Sequence, residues 1–372
     1  MEKKCLILVK SKQIEANKQQ RLSTHEEQFS FFFISTPKLI FGKKGLFFMN
    51  YNHNGIPLIH FIGISFRLAA FFSMIMWLCF AHPGHAQTKN GFDLSEASIS
   101  KKEILSGGPS RDGIPSIDRP KFINVKSVDY LSDDDIVIGL VRGDTARAYP
   151  TRILIWHEIV NDVIGKDAIA VTYCPLCGTA MVFERKIGGK MQTFGVSGLL
   201  YRSDILMYDR ESESLWSQLA MKAVSGPAVG MRLTWLPSEH LTWKAWREKY
   251  PRGKVLSTDT GYNRNYAGEA YASYFSSEHT MFPVPNTRKE LPNKTWVIGV
   301  VINGKAKAYP ANDLPPDKAI EDKVGQKKVV VRYDAGKRNP QITNTEGEHI
   351  PSVMVFWFAW QAFYPQTDLW KP

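Results

Sequence analysis

Two cysteines separated by two residues form the feature of this sequence best suited to chemistry. Cys174-Pro175-Leu176-Cys177 is followed by Gly178, and the next residues, Thr-Ala-Met-Val-Phe, favour a β-strand. Such a pair can act as a redox dithiol, chelate a metal or close a structural disulfide. In a thioredoxin-type site the pair opens a helix, whose N-terminus lowers the pKa of the first thiol. The strand that follows here argues against that form.

The turn resembles the cysteine knuckles of rubredoxins and zinc ribbons, where glycine permits a tight turn and both sulfurs point at one metal. Those sites need two knuckles and four ligands. The other two cysteines, Cys5 and Cys79, lie within the first 86 residues. A metal at Cys174 and Cys177 would therefore recruit a histidine or a carboxylate. Three protein ligands leave a fourth position open, as in catalytic zinc sites, and thiolates also suit copper.

His157 and Glu158 are candidates for completing the site. Apolar residues recur with helical spacing and predict a helix over 152–164, which ends at Gly165 and carries His157 near its apolar stripe. We interpret His157 as a third ligand or a general base, oriented by Glu158 or Asp204. The alternative is a core histidine satisfied by a backbone carbonyl. The segment lacks the second histidine of H-E-x-x-H, so it is not a zinc-protease motif.

The segment 195–218 mixes polar and aromatic residues densely enough to line a ligand pocket. We expect a polar loop from Gly198 to Ser217. A solvated loop closed by local turns is the alternative to a pocket. Besides Glu158, the candidate pocket residues are Tyr201, Asp204, Asp209, Arg210, Trp216 and Gln218.

An internal repeat organises the chain after residue 86. Residues 137–174 align without a gap on residues 297–334, with thirteen identities. Two copies are too few for a solenoid, so they indicate one duplicated unit. Each unit is predicted to contain a β-hairpin, which turns at Gly143-Asp144 in the first copy, then a helix and a strand.

The two copies differ where chemistry is concentrated. The second copy has Pro316-Asp317-Lys318 in place of Trp156-His157-Glu158, and Asp334 in place of Cys174. The scaffold residues persist while the reactive ones change, which supports His157, Glu158, Cys174 and Cys177 as functional candidates.

The predicted fold class is α+β: a sheet-dominated single mature domain, residues 87–372, built on the duplicated β-hairpin–helix–strand unit. A further short helix is expected to begin near Thr242 and to stop at Pro251. The apolar run 353–360 is too short to span a membrane and is expected in the core. No Walker loop, G-x-G-x-x-G or G-x-S-x-G is present, which argues against a nucleotide enzyme or an α/β-hydrolase. No motif assigns a reaction.

The first 86 residues have the features of an export signal. An apolar run of 13 residues, 68–80, follows Arg67 and precedes a small-residue site ending at Ala86. A comfortable membrane span needs about 20 residues. We therefore expect cleavage, a periplasmic or secreted mature protein and no stable span afterwards, with an uncleaved anchor as the alternative. Met49 is a candidate for the true start.

Net charge gives no indication of a nucleic-acid partner. The whole chain carries +11, but the first 86 residues hold ten of the basic and four of the acidic side chains, leaving +5 on residues 87–372. The remaining basic residues form no stripe, so nucleic acid is not an expected partner. We expect a metal or an unknown small ligand instead.

Several motifs together resemble an exported bacterial family known as a domain of unknown function. Its habitual signature is the T-Y-C-P-L-C-G-T-A block at 172–180, and the resemblance extends over about residues 110–370. The resemblance implies export and a single domain, and it carries no activity. The further motifs are D-G-I-P at 112–115, A-Y-P at 148–150, W-H-E-I-V-N-D at 156–162, F-G-V-S-G-L-L-Y at 194–201, Y-D-R at 208–210, L-W-S-Q at 215–218 and F-W-F-A-W at 356–360.

Three functional hypotheses follow from these residues. The first is an extracytoplasmic protein that binds copper or zinc through Cys174, Cys177 and His157. The second is a thiol–disulfide oxidoreductase, in which the two cysteines cycle at an accessible potential. The third is a binding module for a polar ligand, with the pocket in segment 195–218 and the cysteines joined in a structural disulfide.

Overall fold

A computed structural model describes residues 39–42, 45–51, 57–61, 87–268, 270–285, 288–316 and 318–372. The chain divides into two compact units, Met1–Pro83 and Gly84–Pro372. In the first unit, Leu39–Gly42, Gly45–Tyr51 and Pro57–Phe61 form an antiparallel three-stranded sheet. The predicted signal run 68–80 and its cleavage site lie outside the described residues. Among the described residues, no helix is both long and apolar enough to cross a bilayer.

The second unit is a five-bladed β-propeller, so the predicted α+β class is wrong. Each of its five sheets forms one blade. The sheets are mainly antiparallel, and two short strands, Lys254–Leu256 and Asp368–Leu369, pair in parallel. Blade 1 contains Phe122–Asn124, Ile136–Arg142, Thr145–Pro150, Glu239–Thr242 and Lys254–Leu256; blade 2 contains Ile159–Ile164, Asp167–Cys174, Thr179–Glu184 and Trp235–Leu236; blade 3 contains Ile104–Ser106, Phe194–Tyr201, Asp204–Asp209, Leu215–Ser217 and Lys222–Ser225; blade 4 contains Trp296–Ile302, Lys305–Pro310, Ser352–Phe356 and Asp368–Leu369; blade 5 contains Ile320–Val324, Lys327–Asp334 and Asn339–Thr343.

Several short elements lie outside the five sheets. Two small ribbons pair Thr88–Lys89 with Phe92–Asp93 and Lys186–Ile187 with Lys190–Met191. The helices of the described part are α1 (Thr151–Leu154), α2 (Trp243–Lys249), α3 (Ala272–Phe275) and α4 (Trp357–Phe363), and the 3₁₀ turns are Lys101–Glu103, Val125–Ser127 and Ala311–Asp313.

The helix predicted over 152–164 is the element that misled the fold prediction. Only α1 is helical there; the chain then turns at Glu158, whose φ is 57°, and continues as the strand Ile159–Ile164. The β-branched sequence Ile-Val-Asn-Asp-Val-Ile suits a strand as well as a helical stripe. Tertiary pairing with Asp167–Cys174 decides in favour of the strand. Gly165, expected to end a helix, adopts φ 61° in the hairpin turn instead.

The prediction of a polar loop from Gly198 to Ser217 is also wrong. Blade 3 fills this segment with the strands Phe194–Tyr201, Asp204–Asp209 and Leu215–Ser217, all of whose residues are buried. Their polar side chains therefore face the interior of the sheet packing rather than solvent.

Other local predictions are confirmed. The hairpin turns at Gly143-Asp144, because Arg142 pairs with Thr145 across it. Helix α2 begins directly after Thr242, whose side chain accepts a hydrogen bond from the Ala245 amide. The apolar run 353–360 is buried throughout.

The segments aligned at an offset of 160 residues pair in the same register. Val137 pairs with Pro150 in blade 1, and Val297 with Pro310 in blade 4. In both blades a further strand leads directly into a helix, α2 or α4. A tryptophan of each helix lies against a strand glycine: a Cβ on Gly139 would come within 2.0 Å of Trp246, and one on Gly299 within 2.4 Å of Trp360.

Candidate functional site

The two cysteines sit at either end of a tight turn in blade 2. Cys174 pairs with Thr179 at the end of the hairpin formed by Asp167–Cys174 and Thr179–Glu184. Gly178 closes the turn with φ 65°, and a Cβ there would lie 2.3 Å from the ring of Trp296. Both reasons require glycine at this position. Both cysteine residues are completely buried, within the largest apolar cluster of the described chain.

A second hairpin, in blade 3, brings Asp204 to the cysteines. Tyr201 pairs with Asp204 across a two-residue turn, in which Arg202 and Ser203 have φ values of 52° and 66°. Such turns favour asparagine and glycine, so two other residues in left-handed conformation store strain. The Cys177 thiol donates to the Ser203 carbonyl at 3.1 Å, and the Cys174 thiol donates to it at 3.8 Å.

The hairpin completes a group of three metal-type ligands. The sulfurs of Cys174 and Cys177 and a carboxylate oxygen of Asp204 all lie within 4.8 Å of one another, and all three residues are buried. Asp204 Oδ2 accepts a hydrogen bond from the Leu219 amide at 2.9 Å, whereas Oδ1 has no hydrogen-bond partner. An unpartnered carboxylate oxygen inside a protein is costly. A bound cation would compensate for that cost.

Burial raises the pKa of the acidic groups of the site. Loss of hydration raises the pKa of Asp204 to about 7, and it raises the pKa of the Cys174 and Cys177 thiols. Glu158 is close enough to be affected by Asp204, and burial with that neighbouring charge raises its pKa to about 8. The site therefore collects four acidic groups in an apolar interior, where a cation would favour their deprotonated forms.

Further unpartnered oxygens surround the group. Ser203 Oγ, Thr179 Oγ1 and Gln218 Oε1 are buried without hydrogen-bond partners. The amide nitrogen of Gln218 donates to Thr172 Oγ1 at 2.8 Å, which holds this side chain beside blade 2. Buried polar atoms normally have a hydrogen-bond partner, so each of these calls for an explanation.

A small void lies beside the cluster. It has a volume of about 50 Å³ and is lined by Glu158, Leu176, Tyr271 and other, mostly apolar residues. A single water needs about 10–15 Å³ of such volume. The void therefore has room for a water or another small ligand next to the cysteine turn.

The structure does not place His157 in the group formed by Cys174, Cys177 and Asp204. Its Nδ1 is hydrogen-bonded to the Pro115 carbonyl at 2.7 Å, and its Nε2 to the Tyr266 hydroxyl at 2.6 Å. Both ring nitrogens are thus occupied, and burial lowers the pKa of His157. Tyr266 is hydrogen-bonded in turn to Thr260. His157 is the satisfied core histidine that formed the alternative interpretation.

The residues expected in a pocket divide between two places. Asp204 and Gln218 lie at or beside the cluster, and Glu158 lines the void. Asp209 instead accepts a hydrogen bond from the Trp216 indole at 2.7 Å, and Arg210 forms an ion pair with Asp118 at 3.0 Å.

Tyr201 belongs to neither place. Its ring contacts Phe363 edge-on, with 5.4 Å between the ring centroids.

Two further residues shape the site; Ser203 belongs to the segment 195–218 expected to line a pocket, and sequence reasoning missed only Tyr274. Ser203 supplies the carbonyl that both thiols approach, and Tyr274 donates to the Leu176 carbonyl at 2.8 Å, holding the turn from outside. No spacing pattern connects Tyr274 to the cysteines.

Comparison with known proteins identifies the family. Residues 111–349 match the family described as "Protein of unknown function (DUF3179)", and the chain belongs to that family. No curated protein and no solved structure matches the chain.

Proposed function

We propose that the buried group of Cys174, Cys177 and Asp204 binds one thiophilic metal ion, zinc or copper. The observation that carries this proposal is the convergence of the three ligand atoms within 4.8 Å around a carboxylate oxygen that has no other partner. Zn–S and Zn–O bonds of about 2.3 and 2.1 Å place ligand atoms of one tetrahedron roughly 3.5–4 Å apart. Small side-chain movements reach that geometry.

The donor set favours these metals over harder ions. Two thiolates select zinc or copper, whereas calcium and magnesium take oxygen ligands. With a divalent metal bound, two thiolates and one carboxylate retain one negative charge instead of three, which lowers the cost of burying them. Three protein ligands leave a fourth position for a water or small ligand.

The site's environment favours metal binding over thiol–disulfide exchange. Exchange needs an accessible thiolate, yet both sulfurs are buried and the pKa of each thiol is raised. A polar-ligand pocket in segment 195–218 has less support still, because that segment consists largely of buried strands. Metal ligation also explains how two adjacent thiols would resist oxidation in an exported protein.

We also propose that the protein acts outside the cytoplasm. The support is the signal-like sequence: Arg67, the apolar run 68–80 and the small-residue site ending at Ala86. N-terminal sequencing of the protein recovered from a bacterial periplasm tests this. A mature start at residue 87 is the expected result, and retention in the cytoplasm with an intact leader would contradict it.

The test of metal binding is elemental analysis of the chain exported to a periplasm and purified without chelator. We expect about one zinc or copper per chain in the wild type. Cys174→Ser and Cys177→Ser should lose at least about ninety per cent of it, and Asp204→Asn should bind more weakly. Asp334→Ser is the matched control, because Asp334 occupies the position of Cys174 in the second repeat. It should retain full metal.

Counting free thiols on the same samples separates the alternatives. No metal together with no free thiol in the wild type would replace the proposal by a Cys174–Cys177 disulfide. Full metal retention in both cysteine variants would place the metal elsewhere and also overturn the proposal.

A further inference from the structure

A cavity of about 320 Å³ lies between residues of blades 1 and 2 and residues of blade 4, with Arg338 of the turn in blade 5 also lining it. Two pairs of corresponding positions outside the aligned segments line it: Gly178 with Arg338 at an offset of 160, and His240 with Met354 at an offset of 114. Its volume is in the range of small-molecule sites. Cys174, Cys177 and Asp204 do not line this cavity, although Gly178 follows Cys177 directly.

The cavity combines aromatic and cationic lining residues. Trp296, Phe356 and Phe275 supply flat apolar surface, and Arg338 and Lys294 supply positive charge. The Arg338 guanidinium lies 5.5 Å from the centre of the Trp296 ring, stacked against it. None of the described lining residues is acidic. Glu278 acts on Lys294 electrostatically without lining the cavity.

An unsatisfied polar atom points to a missing partner. His240 is 5% exposed, lines the cavity, and its Nε2 has no hydrogen-bond partner. Burial and the nearby Arg338 lower the pKa of His240 to about 4, so the ring is neutral and can donate or accept one bond. A core packing role alone would be served by methionine, as Met354 shows in the other repeat.

The backbone of Arg338 is strained. It adopts φ 51° at the end of its turn, the conformation that its counterpart Gly178 adopts at 65°. Glycine is the residue without cost there, whereas arginine is strained by about 1 kcal/mol or more. The strain places a guanidinium at the mouth of an aromatic cavity.

We propose that this cavity binds a small organic anion: a carboxylate on a flat, apolar body. Arg338 receives the carboxylate, since its planar fork matches two carboxylate oxygens. The aromatic wall of Trp296 and Phe356 holds the apolar body, and His240 Nε2 offers one further hydrogen bond. This site is independent of the metal.

Titration calorimetry with benzoate tests the proposal on the full chain, with benzamide and benzylamine as neutral and cationic probes of the same shape. We expect benzoate to bind at least about tenfold more tightly than either. Arg338→Gly should weaken benzoate binding by about tenfold or more. The glycine also relieves the strained φ, so this variant is expected to fold. Arg332→Ala removes the same charge from an exposed position of the same blade and should change the affinity less than about twofold.

Each further result decides the matter. Cys174→Ser should bind benzoate as the wild type does, so failure of the metal proposal leaves this one standing. Absence of benzoate binding at about 10 mM would overturn the proposal. Equal affinity for benzylamine, or an unchanged affinity in Arg338→Gly, would do the same.

Discussion

The turn 174–178 of blade 2 and the turn 334–338 of blade 5 form corresponding backbone hydrogen bonds but carry different side chains. The Cys177 carbonyl accepts a hydrogen bond from the Phe356 amide at 2.9 Å, and the Lys337 carbonyl accepts one from the Thr242 amide at 3.0 Å. Each turn thus contacts the strand end that leads into the other repeat's helix. The first turn holds two buried thiols; the second holds an exposed ion pair between Lys337 and Asp334 at 2.7 Å.

Blade 3 explains why only one turn is buried. Four of its strands lie in the chain between Thr179–Glu184 of blade 2 and the strand Glu239–Thr242, whereas only residues 344–351 separate blade 5 from Ser352–Phe356. The offset between the repeats accordingly falls from 160 at Cys174 to 114 at Trp243. Blade 3 brings Asp204 and its strained hairpin over the first turn. The difference teaches that the candidate site arises from what packs on the turn, because the turn itself is shared.

Metal removal should give the largest difference in stability between variants of the two turns. A chelator should lower the free energy of unfolding of the wild type by about 4 kcal/mol, the value for a ligand at about a thousand times its dissociation constant. The chelator should lower the free energy of unfolding of Asp334→Ser by the same amount, and that of Asp204→Asn much less. Urea unfolding with and without chelator measures this. Equal wild-type curves would contradict it.

The shared scaffold should respond equally in both repeats. Gly139→Ala and Gly299→Ala should each cost about 3 kcal/mol, because the added methyl group overlaps Trp246 or Trp360. Gly143→Ala and Gly304→Ala are the controls: each has positive φ and open space, and should cost about 1 kcal/mol. Denaturant midpoints report all four. A large effect in one repeat alone would break the equivalence.

Acid should reveal the buried histidine that distinguishes blade 1 from blade 4. Burial lowers the pKa of His240 to about 4 in the folded chain, from 6.5 in the unfolded chain. The unfolded state therefore binds the proton first, and stability falls as the pH drops below about 6.5. Between pH 7 and 4.5 the wild type should lose about 2 kcal/mol more than His240→Met. Parallel pH profiles of the two proteins would refute this.

The smallest expected difference concerns a hydrogen bond present in both repeats. Tyr149 donates to Asp162 at 2.6 Å, and Tyr309 donates to Asp322 at 2.9 Å. Asp162 is buried, whereas Asp322 is partly exposed. Tyr149→Phe should cost about 1.5 kcal/mol and Tyr309→Phe about 0.5 kcal/mol, since water can replace the second bond. Thermal unfolding resolves this order, and its reversal would contradict the argument.

Local signals predicted the parts of the fold that local forces control. The turn at Gly143-Asp144, the helix after Thr242 and the buried run 353–360 were all predictable from residue type and spacing. The segment 152–164 was not, because β-branched residues satisfy a helical stripe and a strand equally well. The left-handed Glu158 and pairing with Asp167–Cys174 settle its structure.

The sequence by itself determined the cysteine pair, the repeat alignment and the family resemblance, since all three are properties of residues in order along one chain. Only the tertiary structure decided that Asp204, and not His157, lies beside the sulfurs, and that Arg338 and His240 share a cavity. The physical reason is that sheet pairing and blade packing join residues far apart in the chain. No local pattern records which of two polar side chains that packing brings to a buried site.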